Sequence, residues 1–142
     1  MGSALDDDAR RLLDGVNYGF LATLMPGGHP TVDPVWVGRD GDRVLVATDG
    51  KSIKARNAAV DPRVSLAVTA FGDPYDQVLI RGTVVELAPD DDLAVLDRLS
   101  EKYLGGSFPR RKWSQRVVLV IEPTVVRSYR SSLRHPSTEE RS

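Results

Sequence analysis

The chain has 142 residues, 41 % of them hydrophobic and 27 % charged, with a net charge of −1. That size and balance describe one ordinary soluble domain and provide no broad basic face for nucleic acid. The absence of cysteine excludes disulfides, thiolate metal sites and cysteine nucleophiles, and His29 and His135 lie too far apart in sequence for a metal-ligand spacing.

Residues 1–8 are acidic and lack the basic-then-apolar order of a signal peptide, and Asp6 stands where a myristoylation signal needs Ser or Thr. No apolar run approaches the ~20 residues of a membrane span. The expectation is a cytoplasmic protein. Residues 6–13 read as a short helix, opened by three aspartates as the helix dipole favours and ended at Gly15. Residues 18–25 and 31–37 are two runs of β-formers joined by Pro26-Gly27-Gly28-His29-Pro30, a hairpin pattern. Pro34 inside the second run demotes it to an edge or bulged strand. The turn Asp40-Gly41-Asp42 leads into residues 43–48, so three antiparallel strands are expected first.

Residues 51–60 lose the strand alternation and read as a short helix ended by Asp61-Pro62. Residues 63–71 alternate cleanly as a strand. A loop at 72–75 follows, then a long strand over 77–87 with Gly82 marking a bulge or a close approach. Leu93, Leu96, Leu99 and Tyr103 recur at helical spacing within 90–104, which Gly105-Gly106 closes. A basic loop (107–114, with Arg110, Arg111, Lys112 and Trp113) precedes two strands, 116–121 and 124–129, broken by Glu122-Pro123. Residues 131–142 form a polar tail expected to be disordered, which leaves 1–130 as one domain. Strands outnumber helices and do not alternate with them, so the pattern is mainly β with attached helices. About six short antiparallel strands in so small a chain point to a barrel, since closure removes sheet edges.

The chemistry concentrates in residues 46–68. A strand ends at Thr48, a glycine-containing turn follows, and a short helix starts near Lys51. Its first turn offers unpaired backbone N–H groups and the positive end of the helix dipole. Lys51, Lys54 and Arg56 add charge, Thr48 and Ser52 add hydroxyls, and Lys51 and Lys54, three apart, share a helix face. This assembly suits a phosphate; a solvated basic helix accounts for the same residues equally well. Trp36 suits either a cofactor ring or the core. His29, in a Pro/Gly turn, reads as a surface residue, and Asp33 is a lone carboxylate. No Ser/His/Asp grouping, metal triad or Walker loop is present, and no side chain stands out as an obligate catalyst.

The order of a strand, TDGKSIKARN (48–57), DPRV (61–64) and a further strand resembles the pyridoxamine 5'-phosphate oxidase-like, or flavin/deazaflavin oxidoreductase, superfamily. GFLATL (19–24) and GGHPTVDPVW (27–36) are similar to that family's first hairpin, and the likeness spans residues 12–129. Lys54-x-Arg56-Asn57-x-x-x-Asp61-Pro62-Arg63, in a chain with 15 Arg against 4 Lys, most resembles the actinobacterial branch that uses the deazaflavin coenzyme F420. The resemblance implies an FMN-binding-like split β-barrel homodimer with cofactor sites at the subunit interface and a small-molecule substrate. It implies phosphate near Thr48, Lys51, Ser52 and Lys54, supported by Arg56 and Asn57. It implies a ring along Pro34, Val35 and Trp36, with Tyr75 reaching in from the other subunit. The family's Arg/His cluster for pyridoxal phosphate is missing where the last strand ends at Arg127-Ser128-Tyr129, so that substrate is not expected. The implied activity is hydride transfer from reduced F420 to a conjugated organic acceptor. The alternatives are an FMN enzyme of the same fold, a carrier or sensor of flavin, deazaflavin or tetrapyrrole, and a plain interaction module.

Overall fold

A computed structural model describes residues 3–109 and 115–133; Gly2, Arg110, Arg111, Lys112, Trp113 and the tail from residue 134 lie outside the described residues. In chain order the elements are α1 (Asp7–Asp14), β1 (Gly19–Leu24), β2 (Pro30–Val35), β3 (Gly38–Asp40), β4 (Arg43–Asp49), α2 (Ile53–Val60), β5 (Arg63–Ala70), β6 (Asp73–Pro89), α3 (Ala94–Leu104) and β7 (Arg116–Arg130). Among the described residues all strand pairings are antiparallel, and the seven strands form one sheet in the order β2-β1-β5-β6-β7-β4-β3.

That order explains the barrel. β2 and β3 are the two outer strands of the sheet, yet only Trp36 and Val37 separate them in the chain. Such a link spans about 11 Å at most. The sheet therefore curls until its two edges meet, with an incomplete seam between them, which makes this a split β-barrel. Val37 is fully buried at the corner, and its N–H donates to the Tyr103 hydroxyl (3.0 Å) rather than to a neighbouring strand.

Alternation along the strands fills the interior. Val64, Leu66 and Val68 of β5, Val78 and Ile80 of β6, and Leu119 and Ile121 of β7 are buried, while Ser65, Leu79 and Arg81 face outward. Leu12 and Leu13 of α1 enter the same core, and each such side chain contributes about 1.5–3 kcal/mol by leaving water. The Asp6 carboxylate caps α1 by accepting the Ala9 N–H at 2.7 Å.

The structure corrects five expectations. β3 is a short strand not expected from the sequence, because residues 30–40 divide at the Trp36–Val37 corner into β2 and β3. β4 lies beside β7 rather than completing a three-stranded unit with β1 and β2. The 72–75 loop shrinks to a hairpin tip at Phe71-Gly72, where Gly72 has φ +88°. The two last strands are one: β7 runs through Pro123, which faces Gly82 at a register shift between Arg81 and Gly82. A Cβ on Gly82 would lie 2.6 Å from the Glu122 carbonyl oxygen, so glycine permits the close approach that absorbs the proline. α3 starts at Ala94 rather than 90, because the Asp90 carboxylate accepts the N–H groups of Val95 (3.1 Å) and Leu96 (3.0 Å) from outside the helix. Among the described residues, no helix is long and apolar enough to cross a membrane.

Candidate functional site

A cleft of about 350 Å³ opens beside the barrel seam. This lies within the ~300–1,000 Å³ usual for small-ligand sites. Pro34, Val35 and Trp36 supply one side from β2 and the corner after it. Ala47 and Thr48 come from β4, Leu96 from α3, and Phe108 from the segment beyond α3. Two cations, Lys54 of α2 and Arg116 of β7, also line the cleft, as does Tyr18, just ahead of β1.

The polar corner is built by a tight β4–α2 turn. The Gly50 N–H donates to the Gln115 carbonyl (2.8 Å), and the Lys51 N–H to the Asp49 carboxylate (2.7 Å). Ser52 is the N-cap of α2, accepting the Ala55 N–H at 3.2 Å, and its oxygen also receives the Thr48 hydroxyl at 3.1 Å. Lys54 then falls in the first helical turn. Its ammonium is 3.6 Å from the Asp33 carboxylate, with the side chain 19 % exposed, so the pair ties α2 to β2 at the cleft. Hydroxyls, a cation and a helix N-terminus thus meet in one corner, a combination that favours a phosphate.

The opposite side is aromatic and rigid. Trp36 stacks on Tyr103 (5.1 Å between centroids, 8° between planes) and meets Phe108 edge-on (6.1 Å). The Tyr103 hydroxyl donates to the Asn17 carbonyl, and burial raises its pKa. Neighbouring Lys102 donates to the carbonyls of Leu13 (2.8 Å) and Val37. Burial pushes this ammonium down to about 8, against the attraction of Asp14. These bonds pin α3 to α1 and to the corner that holds Trp36. The Arg116 guanidinium lies 5.2 Å from the centre of the Phe108 ring, and the residue is only 9 % exposed. Burial lowers its pKa, with Asp49 and Asp90 opposing, but a guanidinium remains charged at any physiological pH.

Of the residues singled out from sequence, Pro34, Val35, Trp36, Thr48 and Lys54 line the cleft, and Ser52 is joined to it through Thr48. The others do not line it. Lys51 is exposed in the turn before the helix, so it does not share a helix face with Lys54, and Arg56 is exposed. Asn57 is buried, donating to Thr23 Oγ1 (3.0 Å) and Met25 Sδ (3.4 Å), so it fastens α2 to β1. Tyr75 sits at the start of β6, where its carbonyl accepts the Ser131 N–H. His29 is exposed in the hairpin turn. Sequence reasoning missed Tyr18, Ala47, Leu96, Phe108 and Arg116. Only Arg116 carried a signal, as a charge opening an otherwise apolar strand. Among the described residues, no cluster of His, Cys, Asp or Glu could hold a metal.

An apolar, aromatic slot that ends in a phosphate corner fits a planar ring carrying a phosphorylated side chain. The split barrel and this slot define the class: a split-barrel protein of oxidoreductase-like fold, with a slot that suits a phosphorylated planar group. Residues 5–130 match the model of the pyridoxamine 5'-phosphate oxidase family, and the chain belongs to that family. Among solved structures, an F420 reductase is 31 % identical, with a TM-score of 0.77, over 87 % of this chain and 98 % of that one. A heme-binding protein from Mycobacterium smegmatis is 28 % identical (TM-score 0.69) over 93 % of this chain and 56 % of that one. A conserved hypothetical protein from Mycobacterium tuberculosis shares the fold (23 % identity, TM-score 0.72) over 96 % of this chain and 93 % of that one. No curated protein matches by sequence.

Proposed function

We propose that this protein is a cytoplasmic, F420-dependent reductase that acts on a conjugated organic acceptor and works as a homodimer. The observation that carries the reading is the joining of the Pro34–Trp36 wall to the Thr48–Ser52–Lys54 corner in one cleft. The 31 % identity to an F420 reductase over most of both chains supports the choice of cofactor. The bound deazaflavin would supply the hydride. The chain's own residues bind and orient it. Lys54 and the hydroxyls of Thr48 and Ser52 hold the phosphate, and backbone groups of Pro34–Trp36 meet the polar edge of the ring. Phe108, Leu96 and Trp36 keep water from the reacting face.

A second copy has a place to dock. Phe20, Val32 and Leu79 are 47, 61 and 49 % exposed on the outer sheet face. Register places Phe20 opposite Pro34 and Ala22 opposite Val32, so this apolar face runs into the cleft at Pro34. A dimer through that face would complete the cleft, and each protomer would contribute Tyr75 to the other's site.

The heme-binding relative favours a second reading, a tetrapyrrole or flavin carrier without turnover. Titration of the purified protein with F420, FMN and heme, followed by tryptophan fluorescence, separates the readings. We expect F420 to bind at micromolar concentration or below and FMN much more weakly. Preference for FMN or heme would overturn the F420 reading. Lys54→Ala should weaken F420 binding by at least ~1.5 kcal/mol, roughly tenfold, the lower end for a charge-assisted hydrogen bond. Unchanged affinity would remove Lys54 from the site.

A further inference from the structure

The cleft holds a second, buried cation besides Lys54 of the phosphate corner. Arg116 opens β7, where it is registered against Asp49, one step from Thr48. Its guanidinium, however, lies over Phe108, the ring that meets the edge of Trp36. Arg116 therefore belongs to the aromatic part of the cleft, where the ring is expected, as well as to its charged end. A cation held among apolar groups calls for negative charge close by. Asp49 and Asp90 attract it, and both carboxylates also serve backbone donors: Asp49 the Lys51 N–H, Asp90 those of Val95 and Leu96. In a slot walled by Trp36, Phe108 and Leu96, a charge on the ligand would interact with Arg116 more strongly than it would in water.

We infer that Arg116 is a ring-binding residue whose guanidinium pairs with a negatively charged ring system, so that the site selects an ionised deazaflavin over a neutral flavin. The inference rests on the cofactor reading above and extends it from the phosphate to the ring. A deazaflavin ring of the F420 type carries an ionisable hydroxyl whose loss of a proton changes the visible spectrum. The isoalloxazine of FMN has no such group and is neutral at the same pH. Selectivity between two cofactors that share a phosphate arm then falls to the residue facing the ring.

The test is a spectrophotometric pH titration of oxidised F420, free and bound at saturation, with the unsubstituted protein and with Arg116→Met, Arg116→Gln and Arg116→Lys. Among the described residues, the charged or titratable groups at the cleft are Lys54 with its partner Asp33, Arg116 with Asp49 and Asp90, and the Tyr18 phenol. Lys54→Ala is therefore titrated alongside as a control. An opposite charge in contact lowers an acid's pKa by about 1–3. The unsubstituted protein should hold the ring ionised to at least ~1 pH unit below the free cofactor. R116M and R116Q should lose most of that shift, R116K should keep it, and Lys54→Ala should weaken binding but keep the shift at saturation. The ratio of FMN to F420 dissociation constants should fall in R116M and R116Q. A bound ring that ionises where the free one does in the unsubstituted protein would overturn the assignment, whatever the variants do. So would a shift that survives in both R116M and R116Q. Failure of the unsubstituted protein to bind F420 at all would instead overturn the cofactor reading, and this inference with it.

Discussion

Asp76 shows how one side chain sets a boundary condition for the fold. It is 6 % exposed near the start of β6, with its carboxylate 2.8 Å from the Arg11 guanidinium of α1 and 3.5 Å from that of Arg130 at the end of β7. The hydrogen bond from Arg11 holds the Asp76 pKa below the ordinary carboxylate range, against the opposing pull of burial. A carboxylate depressed in the folded state contributes stability at pH values above its unfolded pKa of about 4, and that contribution is lost as pH falls through the folded value. Asp76→Asn should therefore cost about 1–2 kcal/mol at pH 7, since Arg11 and Arg130 stay partly in water and discount the pair. Urea unfolding at stepped pH checks this. The gap between the two proteins should narrow below pH ~4, as Asp76 itself becomes neutral. A gap that stays constant would assign the effect to packing rather than charge.

Secondary-structure elements answer to their neighbours as well as to their own residues. The alternation of residues 63–70 and the leucine spacing before Gly105 announced β5 and α3, because both patterns reflect a face each element buries. Pro123 read as a strand break because a lone proline removes a donor from the ladder. It is tolerated because Gly82 across the ladder leaves room for the Glu122 carbonyl. Gly82→Ala should thus cost about 1–3 kcal/mol as an overpacking change, although alanine suits a strand no worse than glycine does. Thermal unfolding followed by circular dichroism measures it; an unchanged midpoint would mean that β7 can move away at no cost. The start of α3 was misplaced for a related reason. Its capping carboxylate, Asp90, stands three residues before Leu93, which takes a left-handed turn at φ 61° to enter the helix. Capping by a distant side chain leaves no local signature.

At the scale of the molecule, closing the barrel and the proposed pairing of two copies are the same problem seen from inside and outside. The interior alternates with an outer face on which Phe20, Val32 and Leu79 stay exposed, the face through which we propose that two copies pair. Replacing Leu79 with Glu would place a charge in the centre of the proposed interface and should convert a dimer to a monomer by light scattering, with the circular dichroism spectrum unchanged. Val60→Glu, an equally drastic change at a 77 % exposed site on α2, should leave the dimer intact. A Leu79→Glu protein that remains dimeric would remove this face as the interface. Sequence alone determined the mainly β class, the β1–β2 hairpin with its edge proline and the turn into α2 that carries Thr48, Ser52 and Lys54. All of these rest on contacts only a few residues apart in the chain. The tertiary structure decided what depends on distant partners: the pairing of β4 with β7, the spending of Asn57 on Thr23, and the arrival of Leu96, Phe108 and Arg116 opposite Trp36. Local propensity and periodicity report which face an element buries. Which other face meets it is settled only when the two ends of the sheet are drawn together across the Trp36–Val37 corner.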